Sequence, residues 1–139
     1  MLEAKKASFS FVSFKVPRFS FDDNNHKGEQ LKLGFMPKGH FVSKSGEFEL
    51  SIKFVASENM ESDKPVLELN AIAVFKFDSS IPFSEIPEFF YNNSIAIMFP
   101  YIRAFVSTLT LQANTKLLKL GLMNLTGLEE QLKSNTSFE

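Results

Sequence analysis

Few side chains in this 139-residue sequence are placed for chemistry. The two histidines, His26 and His40, fall in turn-like stretches, "NNHKG" and "PKGH", with no Cys, Asp or Glu at ligand spacing, so neither predicts a metal site. Asp22 and Asp23 read as a turn pair, and Glu85 and Glu88 stand three apart beside Pro82 and Pro87. Paired carboxylates do acid–base work when burial raises the pKa of one partner; both pairs are expected at the surface. There is no glycine-rich phosphate loop and no nucleophile-elbow serine. The expectation is a protein with no catalytic residue, no bound metal and no cofactor, one that works by binding.

Charge narrows the partners. Lys and Arg total 15 against 16 acidic residues, a formal charge of -1, so no global field attracts nucleic acid or an anionic membrane. Lys15 and Arg18 alternate with Phe in a way that resembles a base-stacking platform, and the balanced charge favours a packed sheet instead. Phe is abundant at 17 residues, with Tyr twice and Trp absent. So much apolar area with no polar handle points to a groove or an oligomer interface in addition to a core. Cysteine is absent, which fits a reducing compartment. The opening "MLEAKKASFSF" leads into alternation with no signal-like apolar segment, and the expected location is cytoplasmic.

The elements that must carry a binding surface follow from periodicity. "SFSFVSFKVPRFSF", residues 8–21, alternates with period two, and its phase slips at Phe11-Val12 and again at Pro17, which predicts bulges in a strand. Alternation returns over 29–43, 47–58 and 65–78, with "KSG" at Lys44–Gly46 as a tight turn. These strands predict an antiparallel meander with one apolar and one wetter face. Residues 81–94 read as an irregular crossover with two prolines. A long helix is expected over 98–114, with Pro100 in its first turn. At 100° per residue Met98, Phe99, Tyr101, Ile102, Phe105, Val106, Leu109 and Ala113 are expected to share one arc, while Arg103, Ser107, Thr110 and Asn114 lie opposite. That polar back separates the helix from a membrane span, and no membrane insertion is expected. A leucine-rich loop at 115–125 leads to a short helix over 126–133, with Thr126 as N-cap and Glu129 completing a capping box; "NTSFE" is expected to fray. The fold class is α+β, one domain over 1–139: a four-stranded antiparallel sheet, a long helix on one face and a short C-terminal helix.

The stretch "SIAIMFPYIRAFVSTLTLQAN" carries Phe99, Pro100, Tyr101 and Arg103 in register with the FPY-x-R helix start of the SecB family of export chaperones, and the chain resembles that family. "VSFKVP", Val12 to Pro17, is similar to the family's first-strand motif, and "LMNLTGLEEQL" to the segment opening its second helix. The resemblance covers nearly the whole chain. It implies a homotetramer, a dimer of dimers whose long helices lie between two outer sheets. It also implies nucleotide-independent binding of unfolded preproteins or other non-native polypeptides in apolar grooves, and delivery to the SecA motor. Three departures stand out: Lys15 replaces an acidic residue that contacts SecA, the chain is near neutral where the family is acidic, and "ANTKLLKLG" replaces a Gly-Pro turn. Members of this superfamily also serve toxin–antitoxin pairs.

On this reading the client groove is lined by Phe83, Ile86, Phe89, Phe90, Leu118, Leu120, Leu122, Met123 and Leu125, each with core packing as its alternative. The oligomer interface takes Phe11, Phe14, Arg103, Ser107, Thr108, Thr110 and Leu111. Two other readings stay open: a monomeric carrier of a small apolar ligand under the leucine loop, and an adaptor dedicated to one toxin–antitoxin partner.

Overall fold

In the computed structural model, which describes residues 8–78 and 80–139, five strands form one sheet: β1 (Phe9–Phe21), β2 (Lys32–Val42), β3 (Glu47–Ser57), β4 (Leu67–Phe77) and β5 (Thr136–Phe138). Two helices follow β4 in the chain, α1 (Glu88–Gln112) and α2 (Leu128–Ser134). The first seven residues, part of the stretch read above for a leader, lie outside the described range.

The sheet order is β1-β4-β3-β2-β5. Strands β2, β3 and β4 form the expected antiparallel hairpin run, and the four-residue β2–β3 turn closes with Gly46 at φ 75° donating its N–H to Val42 O. The sheet departs from a simple meander in two ways. Strand β1 pairs with β4 and not with its sequence neighbour β2, which makes the four strands a Greek key. The "NTSFE" segment does not fray; it adds β5 in parallel to the outer edge of β2. Sequence periodicity reports the face of a strand, not its neighbour, so neither departure was visible in the pattern.

The two phase slips of β1 are real register shifts, one between Phe11 and Ser13 and the other between Lys15 and Arg18. Each inserts one extra residue opposite β4. Their effect is to keep Phe9, Phe11, Phe14, Phe19 and Phe21 opposite Phe77, Phe75, Ala73, Leu69 and Leu67, the inward set of β4. Without the bulges, strict alternation from Phe9 and Phe11 would turn Phe14, which lies between the two bulges, to the other face. Across the sheet Phe48, Leu50, Ile52 and Phe54 of β3 complete a fully buried inner surface. The opposite face is polar, with Lys53 and Glu68 paired at 3.0 Å.

Helix α1 starts ten residues before the expected position. Pro87, with φ -61° and ψ 142°, is its N-cap, and Pro100 lies in its interior. The early turns carry Phe90, Tyr91, Ser94 and Ile95 on the same buried stripe as Met98, Phe99, Ile102 and Val106, and this stripe on the sheet outweighs the weak propensity of "EFFYNNS". Pro100 is exposed, so the carbonyl it leaves unpaired one turn back meets solvent. The helix ends where Asn114 adopts φ 57°. By length and composition α1 would suit a membrane span; here its apolar stripe packs on the sheet. Helix α2 is capped by Gly127, not Thr126, whose N–H and hydroxyl both donate to Asn124 Oδ1 instead of forming the capping box.

The aromatic excess is spent largely on the core. Phe90 is the hub, with ring centroids 4.7 Å from Phe48, 4.9 Å from Phe9 and 4.9 Å from Phe77, mostly edge-on or tilted.

Candidate functional site

The segment joining α1 to α2 has no regular secondary structure between Thr115 and Leu125 and returns along α1 toward its N-terminal end. Thr115 binds its start: its N–H and hydroxyl both donate to Thr110 O, and Leu118 N–H donates to Thr110 Oγ1 at 3.0 Å. At the far end Lys133 of α2 forms an ion pair with Glu88 in the first turn of α1. Alternation within the segment sends Leu118 and Leu120 inward; the phase then slips, so Leu122 is fully exposed (100%) while Met123 and Leu125 turn back toward the core.

Two recesses flank the segment. One, of about 310 Å³, lies between the segment and the β1–β2 connection; Phe21, Leu31, Leu33, Val66, Leu118 and Leu120 line its apolar part, and Asp23, His26, Glu29, Lys116 and Lys119 its polar part. The other, of about 490 Å³, lies on the α1 side and is lined by Pro100, Arg103, Ala104, Ser107 and the Lys119–Leu122 stretch. Arg103 is held there with its guanidinium 5.6 Å from the Phe99 ring centroid. Apolar walls with charged rims suit a chain that alternates apolar and polar residues.

The residues assigned to a groove therefore separate. Leu118, Leu120 and Leu122 are at the recesses. Phe89 is half exposed on the outer side of α1. Phe83 lies at the opposite end of the fold, stacked on Phe138 with centroids 4.3 Å apart. Ile86 and Phe90 are corrections: both are buried core residues, Phe90 because it closes the aromatic cluster. Leu120 too is buried, so it forms a wall and not a contact surface.

Among the residues assigned to an oligomer interface, Thr108 and Leu111 are exposed on α1, Leu111 at 63%. Phe11 and Phe14 are half-buried and pack on Tyr101 at 5.1 and 5.2 Å. Arg103 and Ser107 line the second recess. Thr110 is a correction: it is buried within its own chain, because the leucine segment folds over that end of the helix. Of the histidines, His40 is in strand β2 and not in a turn; its Nδ1 lies 2.7 Å from Ser137 Oγ. Among the described residues no three His, Asp or Glu side chains gather as a metal site.

Burial raises the pKa of Tyr91, with Glu88 adding to the effect and Lys133 opposing it. The hydrogen bond to Glu88 raises the pKa of Lys133.

A Greek-key sheet with a long helix on its inner face, a leucine-rich return segment and a short second helix is the SecB-like fold. The SecB-like chaperone Rv1957 of Mycobacterium tuberculosis, solved in complex with a ChAD peptide from the HigA1 antitoxin, superposes with a TM-score of 0.67 over 84% of this chain and 88% of that one, at 16% identity. A Streptococcus agalactiae protein of unknown function matches with a TM-score of 0.52 over 82% of this chain and 97% of its own, at 10% identity. In sequence, an uncharacterized protein of Methanocaldococcus jannaschii is 32% identical, covering 94% of this chain and 91% of the relative. The chain belongs to the same family as that archaeal protein, a divergent one within the SecB-like fold. No family model matches the sequence.

Proposed function

We propose that this protein is a non-enzymatic, nucleotide-independent chaperone that captures extended, non-native polypeptide segments along the leucine-rich stretch. The observation carrying the reading is the stretch itself. It is irregular backbone lying between two recesses, with Leu118 and Leu120 turned toward one and Leu122 projecting beside the other. Irregular backbone leaves amide groups for a bound chain, and apolar side chains of several shapes accept many sequences. The proposed assembly is a homotetramer acting in the cytoplasm. The experiment is dilution of a chemically denatured test protein into buffer with the purified chaperone and no nucleotide. Suppression of light scattering at near-equimolar amounts is expected, and full aggregation at large excess sinks the proposal.

A second reading, dedication to one antitoxin-like peptide, is favoured by the peptide bound to the structurally similar Mycobacterium tuberculosis chaperone. It predicts capture of one sequence and no protection of unrelated denatured proteins. Delivery to an export motor is a further use of the same capture step, for which Lys15 makes a poor acidic contact.

A further inference from the structure

We infer that the outer edge of β2 is a second polypeptide-binding site, one that accepts an extended segment in parallel, and that the chain's own β5 occupies it as a displaceable cis ligand. The inference rests on the proposed capture of extended chains and adds to it a site and a sequence preference.

Strand β5 is only three residues long and pairs in parallel with Gly39–Phe41. Its backbone contacts are those of an added strand. Gly39 N–H donates to Asn135 O at 3.2 Å, Glu139 N–H donates to Phe41 O at 2.9 Å, and Ser43 N–H donates to Glu139 O at 2.9 Å. The side chains then alternate between two kinds of seat. Ser137 Oγ lies 2.7 Å from His40 Nδ1 on the polar face, and Glu139 Oε2 lies 3.8 Å from His40 Nε2. Phe138 turns the other way and stacks on Phe83 with rings 10° from parallel, yet remains 61% exposed. Main-chain bonds supplying affinity, with alternate pockets supplying choice, is the chemistry of strand addition.

Two features show that the edge is built to be approached. Gly39 has no side chain where a Cβ would stand 2.5 Å from the Phe48 ring of β3 and 2.7 Å from Thr136 Oγ1, so the bare position makes room for the core ring and for the added strand together. The crossover is tied down beneath Phe83, since Ser43 Oγ donates to Ile81 O at 2.6 Å and Ser80 Oγ donates to Ser43 O at 2.7 Å. The seat is therefore fixed, whereas its occupant is a short edge strand with an exposed ring, the kind of element that opens at little cost. The preferred ligand is an extended segment with a hydroxyl, an aromatic and an acidic residue in succession, as in the segment that fills the site now.

The test uses a blocked, fluorescein-labelled peptide Asn-Thr-Ser-Phe-Glu and anisotropy titrations of the full chain. A tethered competitor acts at an effective concentration near the millimolar range, so releasing it is expected to tighten binding of the free peptide about tenfold. Phe138→Ala should show that tightening over the wild type. The double change Phe138→Ala with Phe83→Ala should abolish it, and Phe138→Ala with His40→Ala should weaken it, with circular dichroism reporting an intact fold. Equal affinity of wild type and Phe138→Ala, or no binding to either, overturns the inference. If the wild type still suppresses aggregation in that case, the capture reading stands without the edge; peptide exchange with no suppression leaves the edge standing and removes the capture reading.

Discussion

The hydroxyl of Thr110 accepts the N–H of Leu118 at 3.0 Å while lying 3.0 Å from Val106 O, the carbonyl one turn back in the same helix. One buried side chain thus fixes where the leucine segment leaves α1. Thr110→Val keeps the volume and removes the acceptor, leaving a partly buried amide without its partner. The expected loss is about 1–2 kcal/mol in denaturant unfolding, with faster hydrogen exchange at Leu118. Unchanged exchange there would mean that the segment is held by its leucines alone.

Leu120 and Leu122 are two residues apart and should answer oppositely to truncation. Leu120 is buried, and Leu120→Ala should cost about 2–4 kcal/mol through lost contacts and a residual cavity. Leu122 is fully exposed, so Leu122→Ser should leave stability within about 0.5 kcal/mol of wild type while weakening suppression of aggregation. Denaturant midpoints and the light-scattering assay separate the two effects. A stable Leu122→Ser protein with undiminished capture would move the client elsewhere on the surface.

The sequence made some of this legible and hid the rest for identifiable reasons. Strand faces were readable, even to the two slips of β1, because a period of two is interrupted visibly when a residue is added. Strand neighbours were not, since β1 could satisfy the same alternation beside β2 or β4. The early turns of α1 were hidden by Pro82 and Pro87, which read as an irregular stretch although Pro87 marks the helix start. The groove residues were the hardest to place. Phe90 and Phe89 are adjacent and chemically identical, and only the rotation of α1 over the sheet sends one into the aromatic hub and the other to the surface.

Alkaline pH should destabilise the protein mainly through Tyr91, with a small share from the exposed Lys133–Glu88 pair. Burial holds the Tyr91 phenol above its ordinary value of 10.0, and the bond to Glu88 holds the Lys133 ammonium above 10.5. Both groups bind their protons more tightly folded than unfolded. Their contributions are therefore complete below the unfolded values and disappear as pH rises through the folded ones. Thermal midpoints are expected to fall as pH climbs past about 10. The drop should be shallower in Tyr91→Phe, which has no phenolic proton to lose. An equally steep drop in that variant would assign the alkaline loss to other groups.

The outer side of α1 supplies the test of assembly. Phe89, Ile97, Tyr101 and Leu111 are exposed on it, and Val12 and Phe19 are exposed on β1. Large apolar side chains grouped in this way on a small chain suit a covered surface, which the proposed tetramer would supply. In the proposed tetramer the wild type sediments at about four times the 15.8 kDa chain mass. Leu111→Asp places a charge on that face without touching the core, so the fold and thermal midpoint of the isolated chain should survive while the assembly dissociates to smaller species. Light scattering from denatured clients then shows whether capture needs the assembly. If dissociated Leu111→Asp protects as well as wild type, the recesses of one chain suffice; if protection falls with mass, the groove is completed by a neighbour. A wild type that sediments at 15.8 kDa at every concentration removes the tetramer and leaves the exposed side of α1 as a surface for clients.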